Sequence, residues 1–213
     1  VNFIHGFPYY AVSIALSFEG EVITGCIFAP ASNDLYTTEK GRGSMLNNRR
    51  LRVSKRSRFS EALLGSNIPN RRAGKAPASL QLSGELTVAS SGVRRLGASV
   101  LDLAYVAAGR MDGYVGAGLQ AWDMAVGSLL IKEAGGLVSD MDGEENYMSA
   151  GTIVAGNPKI FAQLLAKVQP AAGVSLKGEQ AQTSSQQLPA SSSDSEAGHE
   201  KKISRRVLHR KVS

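Results

Sequence analysis

From Tyr10 to Phe18 the chain alternates large apolar residues with small ones, in the run Tyr10-Ala11-Val12-Ser13-Ile14-Ala15-Leu16-Ser17-Phe18. A period of two predicts a strand packed on one face. Glu19-Gly20 is a turn signal, and Glu21 to Phe28 reads as the hairpin partner. Leu35 to Thr38 is a short third strand, Leu51-Arg52-Val53 an edge strand with basic residues, and Leu63-Leu64 another short strand. Residues 69–79, with Pro69, Gly74 and Pro77, read as loop.

The pattern then changes. Ser99 to Ala108 is apolar on most sides, with Asp102 its single charge and Gly109 as its stop. A helix that is apolar nearly all round is buried between layers. Asp123 to Ala134 predicts a second such helix, closed by Gly135-Gly136. Short strands are expected at Asp112–Val115, Leu137–Ser139 and Ile153–Ala155, with a turn over Asp140–Gly143. Asn157-Pro158 supplies an N-cap and a proline at the first helical position, so a helix runs from Pro158 to Val168. Strands followed by alternating strands and helices predict a mixed α/β (α+β) fold, a layered sandwich of helices and sheets.

Composition divides the chain. Residues 1–168 have the apolar content of a folded domain, whereas 169–213 turn to Gln, Ser, Ala and Gly with a basic end, and are expected to form a disordered tail. The net charge is +6, and from Pro170 onward seven Lys/Arg stand against four Asp/Glu. Nucleic acid is therefore expected as a partner only through the tail, which lacks interleaved aromatics and is read first as a solubilising segment. No run of 18 apolar residues occurs, so no membrane span is expected. Cys26 is the one cysteine, which suits a reducing cytoplasm, and is expected to be buried packing in its strand. Three histidines without zinc spacing leave oxygen ligands for any metal. Gly41-Arg42-Gly43-Ser44 lacks a phosphate-loop ending and reads as a turn; Asp140-Met141-Asp142-Gly143-Glu144-Glu145 lacks the calcium-loop pattern.

The most specific stretch is Gly118-Leu119-Gln120-Ala121-Trp122-Asp123, at the mouth of the second apolar helix. It resembles the inositol monophosphatase family. Val1-Asn2-Phe3-Ile4-His5 looks like the end of that family's Asp-Pro-x-Asp-Gly-Thr-x-Asn-Phe motif. The run from Asp102 to Gly113, Glu133-Ala134-Gly135-Gly136 and Ile153-Val154-Ala155-Gly156-Asn157-Pro158 look like its bacterial branch. The resemblance implies a Mg2+-dependent phosphomonoesterase acting on inositol monophosphate or a related sugar phosphate, usually a cytoplasmic homodimer. It implies that Asp123 is a metal and substrate ligand, and that Arg94, Gly97, Ala98 and Ser99 contact the substrate. Read as residues only, Asp123 is first a helix-capping carboxylate, and Arg94 equally a solvated basic turn. Ala98 stands where the family usually has Ser or Thr, and Gly116 where it commonly has a Glu that binds the inositol ring. The alternatives are a fructose-1,6-bisphosphatase or nucleotide-phosphate phosphatase of the same fold, or a non-catalytic binding protein using the basic tail. The resemblance also implies that most metal ligands lie before Val1. The 213 residues are thus expected to be an N-terminally truncated domain, with no catalytic residue retained with certainty and an exposed apolar strand at Tyr10–Phe18.

Overall fold

The computed structural model describes residues 1–68 and 76–171. Sheet 1 is a five-stranded antiparallel meander of β1 (Val12–Phe18), β2 (Glu21–Ala29), β3 (Asp34–Glu39), β4 (Gly43–Leu46) and β5 (Arg49–Arg50), in chain order. Glu19 and Gly20 both take positive φ, as a two-residue hairpin loop requires. Sheet 2 holds β6 (Leu63–Ser66), β7 (Gly92–Arg94), β8 (Gly113–Ala117), β9 (Leu137–Ser139) and β10 (Thr152–Gly156), in the order β7-β6-β8-β10-β9. Here β6 pairs in parallel with β7 and β8, while β10 is antiparallel to β8 and β9.

Between the sheets lie α2 (Ser99–Ala107) and α3 (Ala121–Glu133). These are the two helices expected from their all-round apolar character. Their contact is close: a Cβ on Gly127 would sit 2.6 Å from the Leu103 Cβ. Gly25 serves the helix–sheet approach in the same way, since a Cβ there would meet Val126 at 2.8 Å. Ser44 fastens the layer by donating to the Leu130 carbonyl at 2.9 Å. On the far side of sheet 2, α1 (Ala76–Ala89) and α5 (Pro158–Ala171) cover a second core built on Leu64, Val115, Val154, Leu82, Leu86, Ile160 and Leu164. The layers therefore run sheet, helices, sheet, helices.

The expected strands recur within a residue or two, except in two places. Leu51-Arg52-Val53 is not a strand: the Val53 N–H donates to the Ala134 carbonyl at the end of α3, and the ladder is made by β4 and β5 instead. The expected loop 69–79 gives way to α1 from Ala76, where Leu82 and Leu86, one turn apart, are buried; residues 69–75 lie outside the described residues. Asn157 caps α5 as expected, its side-chain oxygen accepting from Lys159 and Ile160 N–H at 3.0 Å. That helix ends at Ala171, three residues past the expected stop, and the expected tail from 172 lies outside the described residues.

The outer face of sheet 1 is apolar and open among the described residues. Val12, Ile14, Leu16 and Phe18 are 57, 63, 56 and 63% exposed. The row continues across the ladder from Val12 to Phe28 to Leu35, all exposed. Cys26 lies on this open face opposite Ile14 and is half-buried, whereas its neighbour Ile27 is the residue turned into the core. The strand period thus corrects the expectation of a buried cysteine.

Asp102 is a charge in the middle layer. It is 1% exposed and accepts a 2.8 Å hydrogen bond from the Tyr9 hydroxyl. Burial pushes its pKa up to about 7, against a smaller lowering by the Tyr9 bond. A carboxyl raised in the folded state gives stability that is fully present below its unfolded pKa of about 4 and is lost as pH rises towards 7. Asp102→Asn keeps the acceptor for Tyr9 and removes the ionisation. It should leave stability at pH 4 nearly unchanged and raise it at pH 8 by roughly 4 kcal/mol, read from denaturant titrations at both pH values. The open face gives a second expectation. In these 213 residues, Ile14→Thr with Leu16→Thr should cost less than about 0.5 kcal/mol and reduce binding of an apolar-surface dye; a loss of several kcal/mol would show that both side chains are packed.

Candidate functional site

The helices α2 and α3 run parallel. Their C-terminal ends, Gly109 and Ala134, both meet the segment around Val53, and their N-terminal ends meet around Tyr114 of β8. Two helix N-termini at one place direct unpaired amides and two positive dipole ends towards a common point, an environment suited to an anion.

Ser99 opens α2. Its hydroxyl accepts from the Tyr114 hydroxyl at 2.7 Å and does not cap the helix. The N-cap is Ala98, with φ −140° and ψ 88° and no side-chain bond; its carbonyl accepts from Leu101 and Asp102 N–H at 2.9 and 3.1 Å. The Ser99 hydroxyl therefore has the Tyr114 hydroxyl as its partner. Gly97 has φ +87°, a left-handed conformation that favours glycine. A Cβ there would also lie 3.1 Å from the side-chain oxygen of Asn2. Asn2 itself donates to the Tyr9 carbonyl at 2.7 Å and the Leu96 carbonyl at 2.8 Å, so the N-terminal turn is tied to the loop that leads into α2.

Asp123 is the third residue of α3. Its carboxylate accepts from the Gln120 N–H at 3.0 Å, the reciprocal arm of a capping box. The capping role is thus real, and the half-exposed carboxylate keeps acceptor capacity free for a second partner. Trp122 beside it is 70% exposed.

Tyr114 joins these parts. It is wholly buried, and burial raises its pKa well beyond the ordinary tyrosine range; the Asp102 and Asp123 carboxylates add to the rise, and Arg95 opposes it. The field of Asp123 and that of Arg95 therefore reach the same hydroxyl. Of the adjacent pair, Arg95 is the arginine turned to this side, with its guanidinium 3.5 Å from the Asn67 carbonyl. Arg94 curls back over its own strand, against Gly92 and the Val93 carbonyl. The structure accordingly brings Gly97, Ala98, Ser99 and Asp123 to one end of the helix layer, with Arg94 at its edge.

Gly116 is enclosed. A Cβ there would fall 2.8 Å from Leu119 and from the Tyr114 ring, and 3.0 Å from its hydroxyl. Tyr114 was not among the residues singled out from the sequence, although it lies two places before Gly116 and so on the same side of the strand. Among the described residues, no group of three or more His, Cys, Asp or Glu side chains is placed to hold a metal. The Mg2+ implied by the resemblance thus finds one carboxylate here, too few donors for a cation that demands octahedral oxygen coordination. No helix among the described residues is long and apolar enough to cross a membrane.

Comparison with known proteins identifies the family. The inositol-1-monophosphatase of Mesorhizobium japonicum is 49% identical over 168 residues, which cover 79% of this chain and 63% of that protein. The Nus factor SuhB of Pseudomonas aeruginosa is 47% identical over 178 residues, covering 83% of this chain and 66% of that one. The crystal structure of the native extragenic suppressor protein suhB from Bartonella henselae matches with a TM-score of 0.76 at 40% identity, over 79% of this chain and 64% of that chain. The chain thus spans just under two thirds of the length of these relatives. The model of the inositol monophosphatase family matches residues 1–174, and the chain belongs to that family.

Proposed function

We propose that this chain forms the substrate-positioning part of a Mg2+-dependent phosphomonoesterase that acts on inositol monophosphate or a related sugar phosphate. The observation that carries the reading is the convergence of the N-termini of both interior helices with Asp123 in a member of a phosphatase family. The amides at the start of α2 face the anionic ester, and the loop through Gly97 lets its backbone approach closely. Asp123 offers the one carboxylate for Mg2+, and the remaining donors are not found among the described residues. A bound Mg2+ supplies charge neutralisation at phosphorus and an activated water. What these residues do is hold the ester and exclude competing poses. Arg95 stands on the anion side of Tyr114, and Arg94, the residue implied by the resemblance, is the second candidate contact. The unpaired Cys26 fits a cytoplasmic setting, and the family resemblance favours a homodimer.

A broader substrate range is favoured by one observation. Position 116 carries no carboxylate, and its space is filled by Tyr114 and Leu119. A ring hydroxyl loses an acceptor there, so other phosphomonoesters, fructose-1,6-bisphosphate and nucleotide phosphates included, compete more evenly. A panel of such esters assayed on the longest protein carrying this sequence separates the readings: a preference for inositol monophosphate of tenfold or more in kcat/KM supports the first.

Two expectations test the site. These 213 residues by themselves should release no phosphate from inositol monophosphate above background at any Mg2+ concentration; sustained turnover would show that a complete metal site exists within them. In a protein that does turn over, Asp123→Asn should lower kcat by roughly a hundredfold or more with a change in stability of less than about 1 kcal/mol, because the Asn side-chain oxygen can still accept from the Gln120 N–H. Partial recovery at high Mg2+ would identify the loss as one of metal affinity. A collapsed thermal midpoint with unaltered Mg2+ dependence would reduce Asp123 to a helix cap.

A further inference from the structure

The segment Arg49-Arg50-Leu51-Arg52-Val53-Ser54-Lys55-Arg56-Ser57-Arg58 carries six cations and no acid in ten residues. It crosses from sheet 1 to sheet 2 at the C-terminal ends of α2 and α3, past Gly109 and Ala134. The candidate phosphatase site is at the other ends of those helices, roughly 13–20 Å away at 1.5 Å per residue. The two surfaces are therefore separate.

This strap is held from within. Leu51 and Phe59 are buried at its two ends. The Leu51 N–H donates to the Ser44 carbonyl at 2.8 Å, and the Val53 N–H to the Ala134 carbonyl at 3.1 Å. The Ser54 hydroxyl donates to the buried Asp112 carboxylate at 2.6 Å and accepts from the Asn157 amide at 2.8 Å. Gln163 donates to the Ser57 carbonyl at 3.0 Å. The backbone is thus fixed while the cations face outward. Arg56 is paired with Asp112 and Glu61, and Arg58 with Glu61. Arg49, Arg52 and Lys55 are exposed, and among the described residues no carboxylate pairs with them or with Arg50. Beside the strap, a cleft of about 710 Å³ is lined by Lys55, Arg56, Arg58 and Arg110 together with the carboxylates of Glu61 and Asp112.

Part of this charge complements the negative ends of α2 and α3, but the helix-dipole effect fades within the last turn. It does not account for cations at both extremes of a strap that, being extended, reaches up to roughly 33 Å. A single phosphate ester would need converging unpaired cations; the arginines of the cleft are already paired with Glu61, Asp112 and Asp34, and the unpaired Arg49, Arg50, Arg52 and Lys55 are spread along the strap. The apolar residues of the strap point inward, so it has nothing to insert into a bilayer. Five of the six cations are arginines, whose planar donors match phosphate oxygens two at a time. No aromatic is interleaved to stack a base. We propose that the strap 49–58 is a docking surface for the phosphate backbone of nucleic acid, held without sequence preference. The bond is electrostatic, and each phosphate neutralised releases a counterion.

The test is fluorescence anisotropy of a labelled 20-nucleotide single strand titrated with the full 213-residue chain between 50 and 200 mM KCl. Two sets of substitutions separate the strap from the basic terminus: R49E/R52E/K55E, and K201A/K202A/R205A/R206A/R210A/K211A. The strap set should weaken binding at least tenfold at 50 mM and lower the slope of log Kd against log salt by about 2, the value for three lost contacts on single strands. It should do so whether or not the terminus is neutralised. The single change Lys55→Ala lowers the slope by about 0.7 and serves if the triple variant fails to fold. An affinity within twofold of the parent after the strap changes, or no binding at 50 mM, overturns the proposal. So does displacement by poly-L-glutamate as effective as by unlabelled oligonucleotide at equal charge, which would identify an acidic protein surface as the partner.

Discussion

The close contact of α2 with α3 is the constraint on which the rest of the molecule depends. It exists because position 127 has no side chain, and the Leu103 side chain lies against the bare backbone. Two parallel helices side by side carry like dipole ends next to one another, a modest repulsion that burial of both apolar surfaces readily offsets. Their alignment means that whatever stands at one end of the layer meets two helix N-termini, and whatever stands at the other meets two C-termini. The candidate site and the basic strap occupy those two ends, and each has the charge that its end favours.

The sheets hold this pair in register. Sheet 1 approaches α3 closely through Gly25 and anchors it through Ser44, while sheet 2 contributes Tyr114, whose hydroxyl reaches the first residue of α2. The buried polar groups are all engaged among the described residues: no buried side-chain nitrogen or oxygen lacks a partner. Asp102 with Tyr9, and Asp112 with Ser54 and the Leu63 N–H, carry charge into the interior only where a donor waits for it. The N-terminal turn is stitched in by Asn2, so the first residues of the chain belong to the site's support.

The central layer was legible in the sequence because α2 and α3 are apolar on almost every side, a pattern that surface helices do not have. The hairpin β1–β2 was legible from its period of two and its Glu19-Gly20 turn. Helix α1 was not: Pro77, Gly84 and two serines break its pattern, and Leu82 and Leu86 are too few to outweigh them. The basic stretch at Leu51 reads as a strand because alternation does not reveal where backbone donors go; here one goes to a helix end. At the site, the family resemblance implied Asp123, Gly97, Ala98 and Ser99, residues that lie at one end of the layer. It could not say which of two adjacent arginines turns inward, since neighbours at the end of a strand point to opposite sides and the register decides.

The filling of position 116 bears on how such proteins change over time. A carboxylate there requires room now taken by the Tyr114 ring and by Leu119, and Tyr114 is itself tied to Ser99. A lone change from Gly116 to Glu would meet a buried aromatic before it met a ligand. The acceptor becomes accessible only after Tyr114 shrinks or moves, and that step frees the Ser99 hydroxyl. The sites at 99, 114, 116 and 119 thus form an epistatic set, in which the order of substitution decides whether an intermediate folds.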